Sequence, residues 1–169
     1  MPFSRLIKLM MAGMGVFVLI VLFSAARQPR TDEPDAARLA GQVTGFQTAF
    51  PPRPIPPALL TLYGEPFPNE AAVFIWSRQC RKQCSDEVAR LAQVDPSKVI
   101  VVFFAKSSGV VPLDVKTIED PQETLRSFTG YIPNGLTVLY EDGTEIGRGI
   151  GVDWSSPAAI ALLRALFNR

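Results

Sequence analysis

The chain contains no histidine. That absence excludes Ser-His and Cys-His nucleophilic mechanisms and the His-Glu-x-x-His metal site. It has two cysteines, Cys80 and Cys84, and its four methionines all lie within the first 14 residues. A zinc site would therefore need carboxylates beside two thiolates, a poor donor set for that metal. An excess of either charge is missing too: 17 basic and 16 acidic residues give a net charge of +1. Nothing in that balance provides an electrostatic footprint for nucleic acid. Asp114, Glu119 and Asp120 are too loosely spaced to read as a carboxylate pair for acid–base work. The glycines at 143, 147, 149 and 151 lack the strand-to-helix context of a phosphate loop, so no cofactor is expected. What the sequence has is ordinary globular composition, 47% hydrophobic over 169 residues, with 15 prolines unevenly placed.

Residues 9–26, LMMAGMGVFVLIVLFSAA, carry no charge, and Arg5 and Lys8 precede them. A run of this length is at the short end of what crosses a bilayer, and the leading basic residues favour a cytoplasmic N-terminus. Two readings compete: an uncut signal anchor, or a signal peptide cut after Ser24-Ala25-Ala26. No cysteine follows the run, which excludes a lipoprotein anchor. Both readings send residues 27–169 outward. In a Gram-negative cell the protein is then a single-pass inner-membrane protein with its C-terminal part in the periplasm.

Residues 27–70 hold nine of the prolines. The segment PPRPIPP (51–57) cannot be helix or an interior strand, and the reading is a stiff, extended spacer. Asp35–Ala40 suits a short helix before it, and Ala58–Tyr63 is an apolar patch suited to docking after it.

From residue 71 the pattern becomes dense. AAVFIW (71–76) is a β-prone run, followed by the cysteines and a helix over 85–94 with Val88, Leu91 and Ala92 on one face, stopped by Asp95-Pro96. KVIVVFFA (98–105) reads as a strand buried on both faces. Residues 106–119 read as a long connection with a short strand at 110–115. Asp120 is expected to cap a helix with Pro121 in its first turn, Leu125 and Phe128 facing inward and Gly130 ending it. LTVLY (136–140) and EIGRGIG (145–151) flank an Asp142-Gly143 hairpin turn. Ser156 caps a last helix with Pro157 at its start; Ile160, Leu163 and Phe167 share a face. The order is β-α-β-α-β-β-α, which makes one mixed sheet covered on both faces.

This order, a strand leading into paired cysteines at a helix start, Asp120-Pro121, Ile132-Pro133 and the Asp-Gly hairpin resemble the thioredoxin-like superfamily over residues 71–169. The resemblance implies a thioredoxin-like fold after an N-terminal anchor and linker, and thiol–disulfide exchange on a protein partner bearing a thiol or disulfide. It implies Cys80 as nucleophile, Cys84 as resolving cysteine, and Pro133 as the counterpart of the family's cis-proline facing the active-site sulfur. The chain departs from the family pattern in three places. Three residues separate the cysteines where the redox enzymes have two. Asn134 and Gly135 stand between Pro133 and Leu136, and aligning the hairpin instead puts Gly135 at the proline position. Gln79, not tryptophan, precedes Cys80. Cys-x-x-x-Cys after a strand also resembles the Sco copper chaperones, although their histidine ligand is missing here.

Outside the cytoplasm disulfides persist. Residues i and i+4 on a helix hold Cβ atoms about 5–6 Å apart, whereas a relaxed disulfide wants about 3.5–4.5 Å. A bridge therefore needs Cys80 at or before the first helical residue. Arg78, Arg81, Lys82 and the helix N-terminus favour a thiolate at Cys80. Three roles remain open from the residues alone: exchange through Cys80, a static staple at the strand–helix junction, and Cu(I) binding by the thiolates. Arg78, Arg81 and Lys82 read as a small basic patch able to meet an anionic partner or as plain surface. Trp154 reads as packed on the closing helix.

Overall fold

A computed structural model describes residues 36–80, 82–130 and 135–168. The apolar run at 9–26 lies outside the described residues, among which no helix is long and apolar enough to cross a membrane. The compact unit that carries the sheet extends from Pro34 to the C-terminus. In chain order its elements are α1 (Ala36–Ala40), β1 (Phe46–Pro54), α2 (Pro57–Tyr63), β2 (Glu70–Trp76), α3 (Lys82–Ala92), a 3-10 turn (Pro96–Lys98), β3 (Val99–Phe104), β4 (Lys116–Asp120), α4 (Arg126–Thr129), β5 (Leu136–Glu141), β6 (Thr144–Ile150) and α5 (Pro157–Phe167).

The strands form one mixed α/β sheet in the order β1-β6-β5-β2-β3-β4. β2, β3 and β4 run parallel; β5 is antiparallel to β2, and β6 to β5 and β1. The two central parallel strands are apolar at almost every position because helices and loops cover both faces. Their two-residue period sorts the core. Ala72, Phe74, Trp76, Val99, Val101 and Phe103 enter one apolar cluster. Ala71, Val73, Ile75, Ile100, Val102 and Phe104 enter the other.

The hairpin forms as its sequence demands: Asp142 and Gly143, at φ 48° and 74°, are the two loop residues between β5 and β6. α5 begins as expected, with the Ser156 hydroxyl accepting from Ala159 N at 3.3 Å and Pro157 in the first turn. Leu162, Leu163, Leu166 and Phe167 of α5 are buried, while Ile160 is only half-buried.

Four expectations change. The prolines of 51–54 do not form a spacer but lie in β1, which pairs with β6 at the rim of the sheet. An edge strand needs only its inward hydrogen bonds, so proline is admissible there. Packing across this pair uses a residue with no side chain: a Cβ at Gly147 would stand 2.4 Å from the Phe46 ring. The short strand lies at 116–120, not 110–115; Val110 is 79% exposed, and β4 is polar because only Ile118 and Asp120 point inward. Asp120 ends that strand instead of opening a helix at Pro121, and α4 starts only at Arg126. Its carboxylate holds the turn before α4 and not the helix start, accepting from Thr124 N (2.8 Å), Thr124 Oγ1 (2.8 Å) and Leu125 N (3.0 Å). Leu125 is buried and Phe128 packs inward, as expected. Finally α3 starts at Lys82, three residues earlier than the apolar spacing suggests, which places Cys84 inside the helix.

Candidate functional site

β2 delivers the chain to the site. After Trp76 the backbone turns, with Cys80 N donating to Ser77 O at 3.1 Å. That turn is tied to the end of β3 by two side chains. Ser107 Oγ donates to Trp76 O at 2.6 Å, and Arg78 Nε donates to Ala105 O. Ala105 and Lys106 both adopt left-handed backbone, φ 57° and 59°, a conformation that non-glycine residues rarely take and that recurs at functional loops. Gly109 lies over the Trp76 indole so closely that a Cβ there would sit 2.0 Å from the ring.

Cys80 and Cys84 are joined in a disulfide with Cα atoms 5.7 Å apart. Cys80 precedes Lys82, the first residue of α3, so the bridge leaves the helical ladder at its N-terminal end, as the spacing requires. Cys80 is 9% exposed and Cys84 2%. Cys84 shares its helix face with Val88 and Leu91 and joins the cluster of Trp76, Phe103 and Trp154. Of the two sulfurs, Cys80 is the one nearer solvent and nearer the helix start. Pro133 and Arg81 lie outside the described residues, so the structure brings together the two cysteines of the predicted triplet. Among the described residues no group of three or more His, Cys, Asp or Glu side chains is placed to hold a metal ion.

Two hollows flank the cysteine turn. One, of about 400 Å³, opens where β2 and β3 end and is lined by Ser77, Arg78, Gln79, Phe104, Glu123 and Arg126 among others. The other, of about 430 Å³, lies between α3 and the loop after β6, lined by Asp86, Glu87, Arg90 and Asp153 among others. Glu87 is 5% exposed. Burial pushes its carboxyl up to about 7, with the Gln83 hydrogen bond and the nearby Arg90 charge pulling weakly the other way. Asp153 is held below the usual carboxylate range, first by the Ser155 hydroxyl, then by Ser155 N, with Arg90 adding to the effect. Trp154 is buried, its ring edge-on to Phe46 at 6.0 Å, in agreement with the packing expectation.

Sequence reasoning missed Glu87 and the Arg126–Glu123 pair. Glu87 precedes Val88 and lies three residues after Cys84, which puts it beside the buried stripe of α3; that adjacency was the available signal. Arg126 and Glu123 (2.6 Å) gave none, since the turn after β4 is what sets them in the same lining as Arg78. No protein-family model and no curated protein matches the chain.

Proposed function

We propose that this protein is a membrane-anchored, periplasmic thioredoxin-like protein that performs thiol–disulfide exchange on a specific partner during assembly of an envelope complex. The observation that carries the reading is the Cys80–Cys84 bridge at the junction of a central strand and the first turn of a helix, beside an open hollow. The parallel β2–α3–β3 unit and the antiparallel β5–β6 hairpin on the other side of β2 support the thioredoxin-like assignment.

The chemistry balances without a cofactor. A partner thiolate attacks Cys80 Sγ, the Cys80–Cys84 bond breaks, and Cys84 leaves as a thiolate that takes up a proton. A second partner thiolate then attacks the partner sulfur of the mixed disulfide and releases Cys80. The partner gains a disulfide and the Cys80–Cys84 pair is reduced. The reverse sequence reduces a partner disulfide, and the reduction potentials of the two couples set the direction.

A second reading, a static staple in an interaction module, is favoured by the burial of Cys84 at 2% exposure within the core. The reduction potential of the full-length protein in graded thiol buffers separates the two. A value above about −250 mV is expected for exchange. A value below about −300 mV overturns that reading in favour of the staple.

A further inference from the structure

We propose that the hollow at the ends of β2 and β3 docks an acidic side chain of the partner, one to three residues from the partner cysteine that meets Cys80. The inference rests on the exchange reading and names what that same site recognises.

The lining is unbalanced in charge. It contains two guanidinium groups, Arg78 and Arg126, and one carboxylate, Glu123. Glu123 is already used: its Oε2 lies 2.6 Å from Arg126 Nε and 2.6 Å from Arg126 Nη2. Among the described residues Arg78 has no carboxylate partner. Its Nε is fixed by the Ala105 carbonyl, which holds the guanidinium plane, and among the described residues its terminal nitrogens make no hydrogen bond. A fixed guanidinium whose two terminal nitrogens have no partner among the described residues is the geometry that a carboxylate meets in a forked pair. One further cation stands beside this lining in the chain, the exposed Lys106 after Ala105; Lys82 lines the other hollow.

Position and size agree. Gln79 lines the hollow and is bonded to Cys80, so a group seated there is one residue from the sulfur-bearing residue. The volume of about 400 Å³ holds a side chain with its flanking backbone, and Phe104 supplies apolar wall for the methylenes of a glutamate. The walls are built on the ends of β2 and β3, and two of them, Ala105 and Glu123, are held in left-handed backbone, φ 57° each. The site faces the outgoing end of parallel strands, where α/β sheets commonly seat ligands.

The test uses the full-length protein in detergent and fluorescein-labelled octapeptides. One set carries a central Cys flanked by Asp, Asn or Lys; a matched set has Ser in place of Cys. Anisotropy with the Ser set reads docking alone, and gel shift with the Cys set reads the mixed disulfide. The Asp-flanked Ser peptide is expected to bind about tenfold tighter than the Asn form, a preference that shrinks with salt. Arg78→Gln is expected to lose that preference, Arg78→Lys to keep only the smaller part that charge alone supplies, since it has neither the fork nor the Nε contact to Ala105, and Arg90→Gln, in the other hollow, to leave it unchanged. Should Arg78→Gln fail to fold, Arg126→Gln, whose side chain is 72% exposed, carries the same expectation. Equal binding of Asp and Asn peptides, or a preference untouched by both variants, overturns the proposal. Charge-selective docking with no mixed disulfide from any Cys peptide keeps the docking site and overturns the exchange reading instead.

Discussion

The two faces of the sheet are covered in different ways. One face carries Phe74, Trp76 and Leu139 against α1, α3 and α5, and it includes the disulfide and Trp154. The other carries Ile75, Val102 and Tyr140 against α2 and the turn leading into α4. α3 and α5 are eleven-residue helices that satisfy most of their own backbone groups. α4 has four residues, too few to satisfy its own ends. Charged side chains anchor it from the turn before it and from β6. Asp120 accepts the amides of Thr124 and Leu125 in the turn before it, and Arg148 donates to the Phe128 carbonyl at 3.2 Å near its end. Arg148 is itself paired with Glu145 through two contacts of 2.6 Å, with Glu145 only 1% exposed, and its guanidinium stacks 4.4 Å from the Phe128 ring. A long helix can cover a sheet by apolar packing; a short one needs buried polar anchors.

The sharpest way to break this comparison is to remove an anchor from each face. On the first, Trp154→Ala deletes a buried indole wedged against Phe46 and should cost about 4 kcal/mol, read from urea unfolding. On the second, Arg148→Met removes a cation and leaves Glu145 buried and unpaired. A loss of about 3 kcal/mol is expected, and the double variant with Glu145→Gln should recover much of it. Hydrogen exchange should speed up in α4 far more for Arg148→Met than for Trp154→Ala. If the double variant recovers nothing, the ion pair is not what holds α4, and the contrast between the faces falls.

The same contrast explains what the sequence made legible. β2, β3 and β5 are mostly apolar runs because both their faces are buried, so composition alone marks them. The Asp142-Gly143 turn and the Ser156-Pro157 start are written in residues whose conformational preferences are local. β1 and β4 were hidden because an edge strand needs neither an apolar run nor freedom from proline. β1 buries only Phe46, and β4 only Ile118 and Asp120. At the site, the cysteine pair and its strand–helix setting were readable from spacing. The Arg78 contact to Ala105, and the hollow it borders, join residues 27 positions apart and depend on the β2–β3 pairing.

Glu87 offers the finest test, since it is a buried carboxyl on the face otherwise covered by apolar packing. Gln83 Nε2 at 3.4 Å is a weak partner, and Arg90, one turn on, is engaged by Asp153 at 3.1 Å. With its folded value near 7 and its ordinary value 4.5, the native state holds this proton more tightly than the unfolded chain. Stability from this group is therefore fully present below pH 4.5 and is lost as pH rises toward 7, beyond which the penalty is constant. The full difference corresponds to at most about 3 kcal/mol, and relaxation around the ionised group brings the expectation to about 2 kcal/mol. Glu87→Gln keeps the shape and removes the titration. The variant should match the parent near pH 4 and exceed it by about 2 kcal/mol at pH 8. Other carboxylates titrate alike in both proteins, so the gap between variant and parent isolates this side chain. A gap that stays constant with pH would mean Glu87 ionises freely in the fold, and that the hollow between α3 and the loop after β6 is wet enough to solvate it.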